Sequence, residues 1–296
     1  MNNRKGRKEA PPGTALLLCC LGLFVLGTLP ALAGAGDVTI EPRTTSAIGL
    51  VISQPGSYAL DHDLAGEPYG LVIESPDVLL DGMGHAVMAT NRTAVFISGS
   101  SAGSITNVTI RNLTARESAT GISVGRVNGT VIEDVLVERN GLGIGCGYAA
   151  MGGAERVTVR DSVIRENEGA GIGLDYPSDG VTIERCTVTR NGKGIESDLS
   201  GRLEENLLVD SVIAENAAFG VSLKESGLVI RGCTVRGNGG NGIQIEHAGA
   251  EIVAICDTNP ERLAIAGDGF GIARRYADAD EMLRAERPDF VDIATT

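Results

Sequence analysis

Along most of the chain, aliphatic and polar residues alternate in short runs that recur at nearly constant spacing. "VTIERCTVTRNGKGI" (Val181 to Ile195) is echoed by "VTVRDSVIRENEGAGI" from Val157 and by "LVIRGCTVRGNGGNGI" from Leu228. With the aliphatic before each outward charge as the origin, the repeat falls at Ile110, Ile132, Val159, Ile183, Leu208 and Ile230, in steps of 22, 27, 24, 25 and 22 residues. Eight residues beyond each origin stand Ser118, Asn140, Asn167, Asn191, Asn216 and Asn238. Twelve or thirteen beyond it, a glycine precedes Ile122, Ile144, Ile172, Ile195, Val221 and Ile243. The alternation has period two, which a helix cannot use. Short β-branched strands cannot bury an apolar face alone, but stacked neighbours can. Asparagine tolerates a tight turn and bonds neighbouring backbone, so its column predicts an internal ladder at one corner, with glycine marking another. The pattern predicts an all-β chain: a right-handed, single-stranded parallel β-helix of about eight coils, one per repeat.

Charge tests that register. Equivalent residues in stacked coils lie about 4.8 Å apart, so like charges in one column repel. One residue past the origin the column reads Arg111, Glu133, Arg160, Glu184, Val209, Arg231, and seven past it Glu117, Arg139, Glu166, Arg190, Glu215. The signs alternate in both, with Asp81 as the first rung below Arg111 and Glu184 expected against Arg160. Most charged residues are thereby assigned to scaffold. Asp134 and Asp161 break the alternation and read as turn acceptors.

The repeat organises the chain into residues 1–33, 34–60 (entry strands), 61–255 (coils) and 256–296 (a C-terminal cap or tail). The last contains a short helix around Asp278 to Arg287, ended by Pro288. Terminal coils need such a cover over their exposed edge; a partner-docking tail is the alternative. At the amino end, Arg4, Lys5, Arg7 and Lys8 precede the uncharged run Ala15 to Leu29 and the small-x-small "ALA" at Ala31–Ala33. This is the pattern of a secretory signal peptide, with an uncleaved membrane anchor as the alternative. It predicts a secreted, periplasmic or cell-surface protein.

The formal net charge of -13 leaves no basic patch for phosphates, which argues against a nucleic-acid partner. With 41 glycines and 3% aromatics, the chain suits a fold that turns often and stacks aliphatic residues. Of the cysteines beyond the leader, Cys186 and Cys233 share a column two coils apart, about 10 Å, beyond the roughly 7 Å reach of a disulfide. Cys146 alternates with Ile144 and faces inward. Together with Cys256, they read as buried thiols.

"ISQPGSYALDHDL" (from Ile52) and "GLVIESPDVLLDGMGHAV" (Gly70 to Val87), followed by these coils, resemble the NosD-type and carbohydrate-binding/sugar-hydrolase (CASH) β-helix proteins. The likeness runs from about Val51 to Ile255. It implies an extracytoplasmic role with polysaccharide or at the cell surface, and the NosD namesakes imply periplasmic copper binding or delivery. For copper the ligands should cluster, and His62, His85 and His247 read as lying in distant coils.

Candidate chemistry lies where the alternation of sign fails. Three residues past the glycine-following aliphatic, the column runs Gly125, Gly147, Asp175, Asp198, Lys224, Glu246. Asp175 and Asp198 are like charges on adjacent coils with Glu196 beside them, an oxygen-rich trio suited to Ca²⁺. Tyr148 and Tyr176 stack one residue further on, as a platform for a sugar face. Lys224 next to a cation is what a lyase acting on uronates would need as a base. The plain alternative is a solvated acidic strip with Lys224 as its counter-charge. Sequons occur at Asn91, Asn107, Asn112 and Asn128. The expectation is a non-catalytic protein that binds or organises surface glycan, with a Ca²⁺-assisted polysaccharide lyase or glycoside hydrolase as the alternative.

Overall fold

The computed structural model describes residues 38–40, 49–100, 103–147, 152–175, 178–197, 205–223, 228–245, 254–269, 271–286 and 291–292. The leader segment and its cleavage pattern lie outside these residues. No helix among the described residues is long and apolar enough to cross a membrane.

One coil shows how the repeat folds. Ala170–Leu174 forms one face, the chain crosses to Thr182–Glu184, turns at Arg185, runs through Thr187–Thr189, and turns again at Arg190 and Asn191 to begin the next rung at Lys193–Ser197. Among the described residues, successive coils pair in parallel. The result is a nine-stranded sheet along one face and a 17-stranded sheet that bends around the other two. Register follows the sequence columns: Ile110 opposes Ile132, then Val159, Ile183, Leu208 and Ile230. On the facing sheet Ile122, Ile144, Ile172, Ile195, Val221 and Ile243 stack likewise. The two sets meet in one continuous core. Burying each such side chain contributes roughly 1.5–3 kcal/mol.

The corners need more than hydrophobicity. Asn140, Asn167, Asn191 and Asn216 are 1–2% exposed. The side-chain carbonyl of Asn191 accepts from both the backbone N–H and the side-chain amide of Asn167, at 3.1 and 2.9 Å. Its own amide donates to Ile164 O and to Asn216. The motif repeats from Asn140 to Asn238. At the first rung Ser118 stands in, donating its N–H to Asn140 and accepting from Ala89 N–H. Beneath this ladder lies the glycine column. A Cβ on Gly121, Gly143, Gly171, Gly194 or Gly220 would fall 2.8–3.0 Å from the amide nitrogen of the asparagine one coil on. Side-chain amide and backbone thus occupy the space a larger residue would need.

The outer corners hold left-handed residues in columns: Asn112, Asp134, Asp161, Arg185 and Asp210 at φ 48–52°, and Glu117, Arg139, Glu166, Arg190 and Glu215 at φ 53–57°. Away from glycine this conformation costs roughly 1–2 kcal/mol per residue, and the stacked backbone bonds on either side hold it. The charges bond across coils. Five arginines reach back to an acid one coil earlier: Arg111 to Asp81 at 2.9 Å, Arg160 to Glu133 at 2.8 Å, Arg165 to Glu138 at 2.7 Å, Arg185 to Asp161 at 2.7 Å and Arg190 to Glu166 at 3.1 Å. One rung differs from expectation. Glu184 is in register with Arg160, but its carboxylate accepts from Arg185 on its own coil at 2.9 Å. The left-handed turn at Arg185 brings that guanidinium back alongside the preceding residue.

The sequon asparagines belong to the same cross-coil bonding. Asn91 donates to Glu67, Asn107 to Asp77, Asn112 to Asp81 and Asn128 to Glu155. The described cysteines carry free thiols. Cys186 donates to Val159 O and Glu184 O, and its N–H donates to Ser211, which separates it from Cys233 in the column. Burial pushes the Cys186 thiol up to about 11.

After the last coil come α1 (Pro260–Gly269) and α2 (Ala279–Glu286), alternating with the parallel pair Ile255–Cys256 and Arg275–Tyr276. The helix expected near the C-terminus is α2. The sequence reading omitted α1, whose Asn259 side chain caps the N–H groups of Glu261 and Arg262. The signal was present as Asn-Pro-Glu at its start, obscured by the glycines of its last turn.

Thr130 is fully buried and its hydroxyl has no partner, while its register neighbours are Val108 and Val157. Thr130→Val should therefore raise stability by about 1–2 kcal/mol, read as a higher urea midpoint. Asn191→Ala should lower it by about 1–3 kcal/mol in the same measurement.

Acid should weaken the cross-coil pairs. Burial acts to raise the Asp81 carboxyl, but the Met83 N–H, Arg111 and Asn112 outweigh it and hold it below the usual range; hydrogen bonds from Arg185 do the same for Asp161. A folded pKa below the unfolded value of about 3.9 gives stabilisation that is present above that pH and lost as pH falls through the folded value. The urea midpoint should fall between about pH 5 and about pH 2, and fall less steeply in Asp81→Asn.

Candidate functional site: the outer face of the nine-stranded sheet

On this sheet, residues alternating with the buried aliphatics form an outer column. It runs in register from Val72 through Phe96, Ser123, Gly145, Gly173 and Glu196 to Ser222 and Gln244. A second column sits at the strand starts, with Tyr69, Thr93, Thr120 and Leu142, then Ala170 and Lys193. The glycine between the columns turns inward beneath the asparagine ladder, so residues three apart share the outer face.

The middle of the face is low. Between Phe96 and Glu196 the column holds only Ser123, Gly145 and Gly173, an interval of four coil steps or about 19 Å. Leu142 lies across it: a Cβ on Gly145 would meet Leu142 Cδ2 at 3.1 Å, and one on Gly173 would meet Leu142 Cδ1 at 3.6 Å. One end is raised by Tyr69 and Phe96, stacked with centroids 4.9 Å apart and planes 18° off parallel. Arg92 stands over Tyr69 at 5.7 Å and donates to its hydroxyl at 2.7 Å. At the other end Lys193 pairs with Glu196. The aromatic faces are turned on each other, so the pair is a rung of the stack that presents its edges outward. The face offers a smooth floor with one apolar side chain, hydroxyls, and a cation at each end. Such a surface can seat an extended, hydroxyl-rich ligand whose backbone runs along the coil axis.

The structure places two of the expected site residues near this floor. Glu196 occupies the outer column between Gly173 and Ser222, with its carboxylate bonded to Lys193. Asp175 follows strand Ala170–Leu174, one coil earlier; its N–H donates to Cys146 O at 2.8 Å, and its carbonyl accepts from the Ser178 hydroxyl. Burial, with a smaller push from the Asp175 charge, drives the Cys146 thiol up to about 12. Asp198, Lys224, Tyr148 and Tyr176 lie outside the described residues. Among the described residues no group of three His, Cys, Asp or Glu side chains is gathered as a metal would require.

The histidine expectation needs correction. The register Leu64↔Val87 puts His62 and His85 on adjacent coils at one corner, since entry strands pair as regularly as the later repeats. His62 bonds Asp61, and His85 bonds Asp63 at 3.2 Å. His247 lies outside the described residues.

An open notch of about 360 Å³ occurs on a different edge, lined by Asp81, Arg111, Asn112, Glu133, Asp134 and Asp161. Its acids are mostly engaged as rungs: Asp81 accepts from Arg111 and Asn112, Glu133 from Arg160, and Asp161 from Arg185. That leaves no pair of carboxylates free for acid–base work there.

The sequence reading missed the low floor. Its signal was the second glycine after the aliphatic in "GIGC" and "GIGL", where other coils carry Ser123 or Glu196.

Comparison with known proteins agrees with this architecture. The family model described as a right-handed beta helix region matches residues 88–258. The A-module of the mannuronan C-5 epimerase AlgE4 of Azotobacter vinelandii superposes with a TM-score of 0.50 at 18% identity, covering 78% of this chain and 68% of that one. The pectate lyase Pel9A gives 0.49 at 14% identity, covering 76% and 67%. The likeness to the epimerase module concerns the fold alone. A 48-residue stretch, 16% of the chain, is 67% identical to the D-apiose dehydrogenase of Paraburkholderia graminis and 58% identical to that of Rhizobium rhizogenes. The stretch spans only 13% and 14% of those dehydrogenases. With the family match extending over more than half its length and every coil paired in parallel, the chain belongs to the right-handed β-helix family.

Proposed function

We propose that this protein binds glycan without transforming it, outside the cytoplasm, by seating an extended polysaccharide along the outer face of the nine-stranded sheet. The observation that carries this reading is the low floor of Ser123, Gly145 and Gly173 between the Arg92–Tyr69 group and the Lys193–Glu196 pair. A neutral or weakly charged polymer suits it best, because the net charge of -13 repels a polyanion at long range. Leu142 supplies an apolar contact for a sugar's C–H face, and Ser123 and Thr120 supply hydroxyls.

A substitution that fills the floor tests the proposal. At Gly173 an added Cβ meets its nearest neighbour at 3.6 Å, an ordinary contact, so Gly173→Arg should fold normally. It should weaken binding on a glycan array, or to the best glycan by calorimetry, by at least about tenfold. Unchanged affinity in a normally melting variant would sink the reading.

A second reading, a calcium-assisted lyase or hydrolase acting on uronates, draws on the position of Asp175 and Glu196 on adjacent coils, with Asp198 as third ligand and Lys224 as base. Ca²⁺ at a hundred times its dissociation constant would stabilise the fold by about 2.7 kcal/mol. Melting curves in millimolar Ca²⁺ and in EDTA should differ accordingly, and Asp175→Asn should abolish the difference; coincident wild-type curves remove this reading.

A further inference from the structure

We propose that Asn241–Gly242 is a site of spontaneous backbone modification, where the asparagine amide is lost as ammonia and aspartate or isoaspartate takes its place. The sequence holds five Asn-Gly pairs, beginning at Asn128, Asn140, Asn191, Asn238 and Asn241. A glycine after asparagine leaves its backbone nitrogen open to the side-chain carbon, because no Cβ shields the approach. In the reaction the Gly242 nitrogen gives up its proton and attacks Asn241 Cγ. A C–N bond forms, the Cγ–Nδ2 bond breaks, and ammonia leaves with the proton. Water then opens the cyclic imide at either carbonyl. One opening gives aspartate; the other routes the main chain through the side chain as isoaspartate. Nothing is oxidised or reduced, and the co-reactant is solvent.

The fold sets these pairs apart. At the three that belong to the ladder, both reacting groups are bound to the preceding coil. Gly141 N–H donates to Ser118 O, Gly192 N–H to Asn167 O and Gly239 N–H to Asn216 O, each at 2.9 Å. The asparagine side chains are pinned as well. Asn140 accepts from Ser118 N–H and Asn191 from Asn167, while Asn238 accepts from both the N–H and the amide of Asn216, at 3.0 and 2.9 Å. Asn128 is half-buried and donates to Glu155 at 2.7 Å. Asn241 stands only three residues beyond Asn238, yet it is exposed, and its amide donates to Gln244 of its own coil at 3.2 Å. The preceding coil is held here through carbonyls: Gly220 N–H donates to Asn241 O at 3.1 Å and Val221 N–H to Gly242 O at 2.8 Å. A planar trans peptide points its N–H away from its C=O, so the Gly242 nitrogen has no bond to that coil to break before it attacks. Isoaspartate would add a methylene to the main chain between those two carbonyls. That displaces Gly242 O from Val221 N–H and loosens the pairing of Ile243–Ile245 with Val221–Leu223.

The test ages the full chain in mildly alkaline buffer, folded and in urea, and maps its peptides with fragment ions that separate Asn238 from Asn241. In the folded protein Asn241 should convert first. Asn140, Asn191 and Asn238 should convert at least about tenfold more slowly, because each must first open its ladder bonds. In urea, where the ladder is gone, that difference should vanish. In the isoaspartyl fraction the Val221 amide should exchange hydrogen at least about threefold faster, and Asn241→Ser should abolish both changes. Folded Asn241 converting no faster than Asn238 overturns the proposal, as does any ladder asparagine that converts in the folded protein at its rate in urea. None of these readings involves glycan, so this proposal and the binding surface can fail separately.

Discussion

The structure depends on one repeated contact: a buried asparagine that bonds the same asparagine in the next coil. A parallel stack of short strands has backbone bonds along each face, but at a corner the chain turns inward and its N–H and C=O groups would be buried without partners. The side chain from Asn140 to Asn238 supplies the missing acceptor and donor at every level. It does so only because the glycine beside it leaves room. Asparagine and glycine are thus one device spread over two residues and two coils, and this explains why the phrase recurs so faithfully while strand residues vary among Val, Ile, Leu and Thr.

Charge plays a secondary part at the outer corners. Arg185, Arg190 and Glu215 hold the left-handed conformation at φ 49–57°. Each has an oppositely charged partner on a neighbouring coil, Arg185 holding Glu184 of its own coil as well, so alternating sign along a column stabilises several strained turns together. Isolated exposed ion pairs contribute little. Here their main effect is on register, because a slip of one coil would set like charges against each other.

The outer face of the nine-stranded sheet is freed by this arrangement. With the core, corners and charges committed to stacking, its columns can carry small residues without loss of stability. The proposed glycan surface is where the scaffold asks least of its side chains.

The sequence by itself determined the coil count, the facing aliphatic columns, the asparagine ladder and the sites of the charge columns. Each depends on residues one repeat apart meeting, and a constant period guarantees that. Only the tertiary structure decided what depends on direction at a corner. It showed Glu184 taken by Arg185 instead of Arg160, His62 and His85 brought to adjacent coils, and the sequon asparagines bound to neighbouring acids. It also decided that Ser123, Gly145 and Gly173 form a low floor, because the inward turn of the preceding glycine shifts which residues share the outer face. Periodicity reports which residues stack; the backbone's turn at each corner determines where their side chains point.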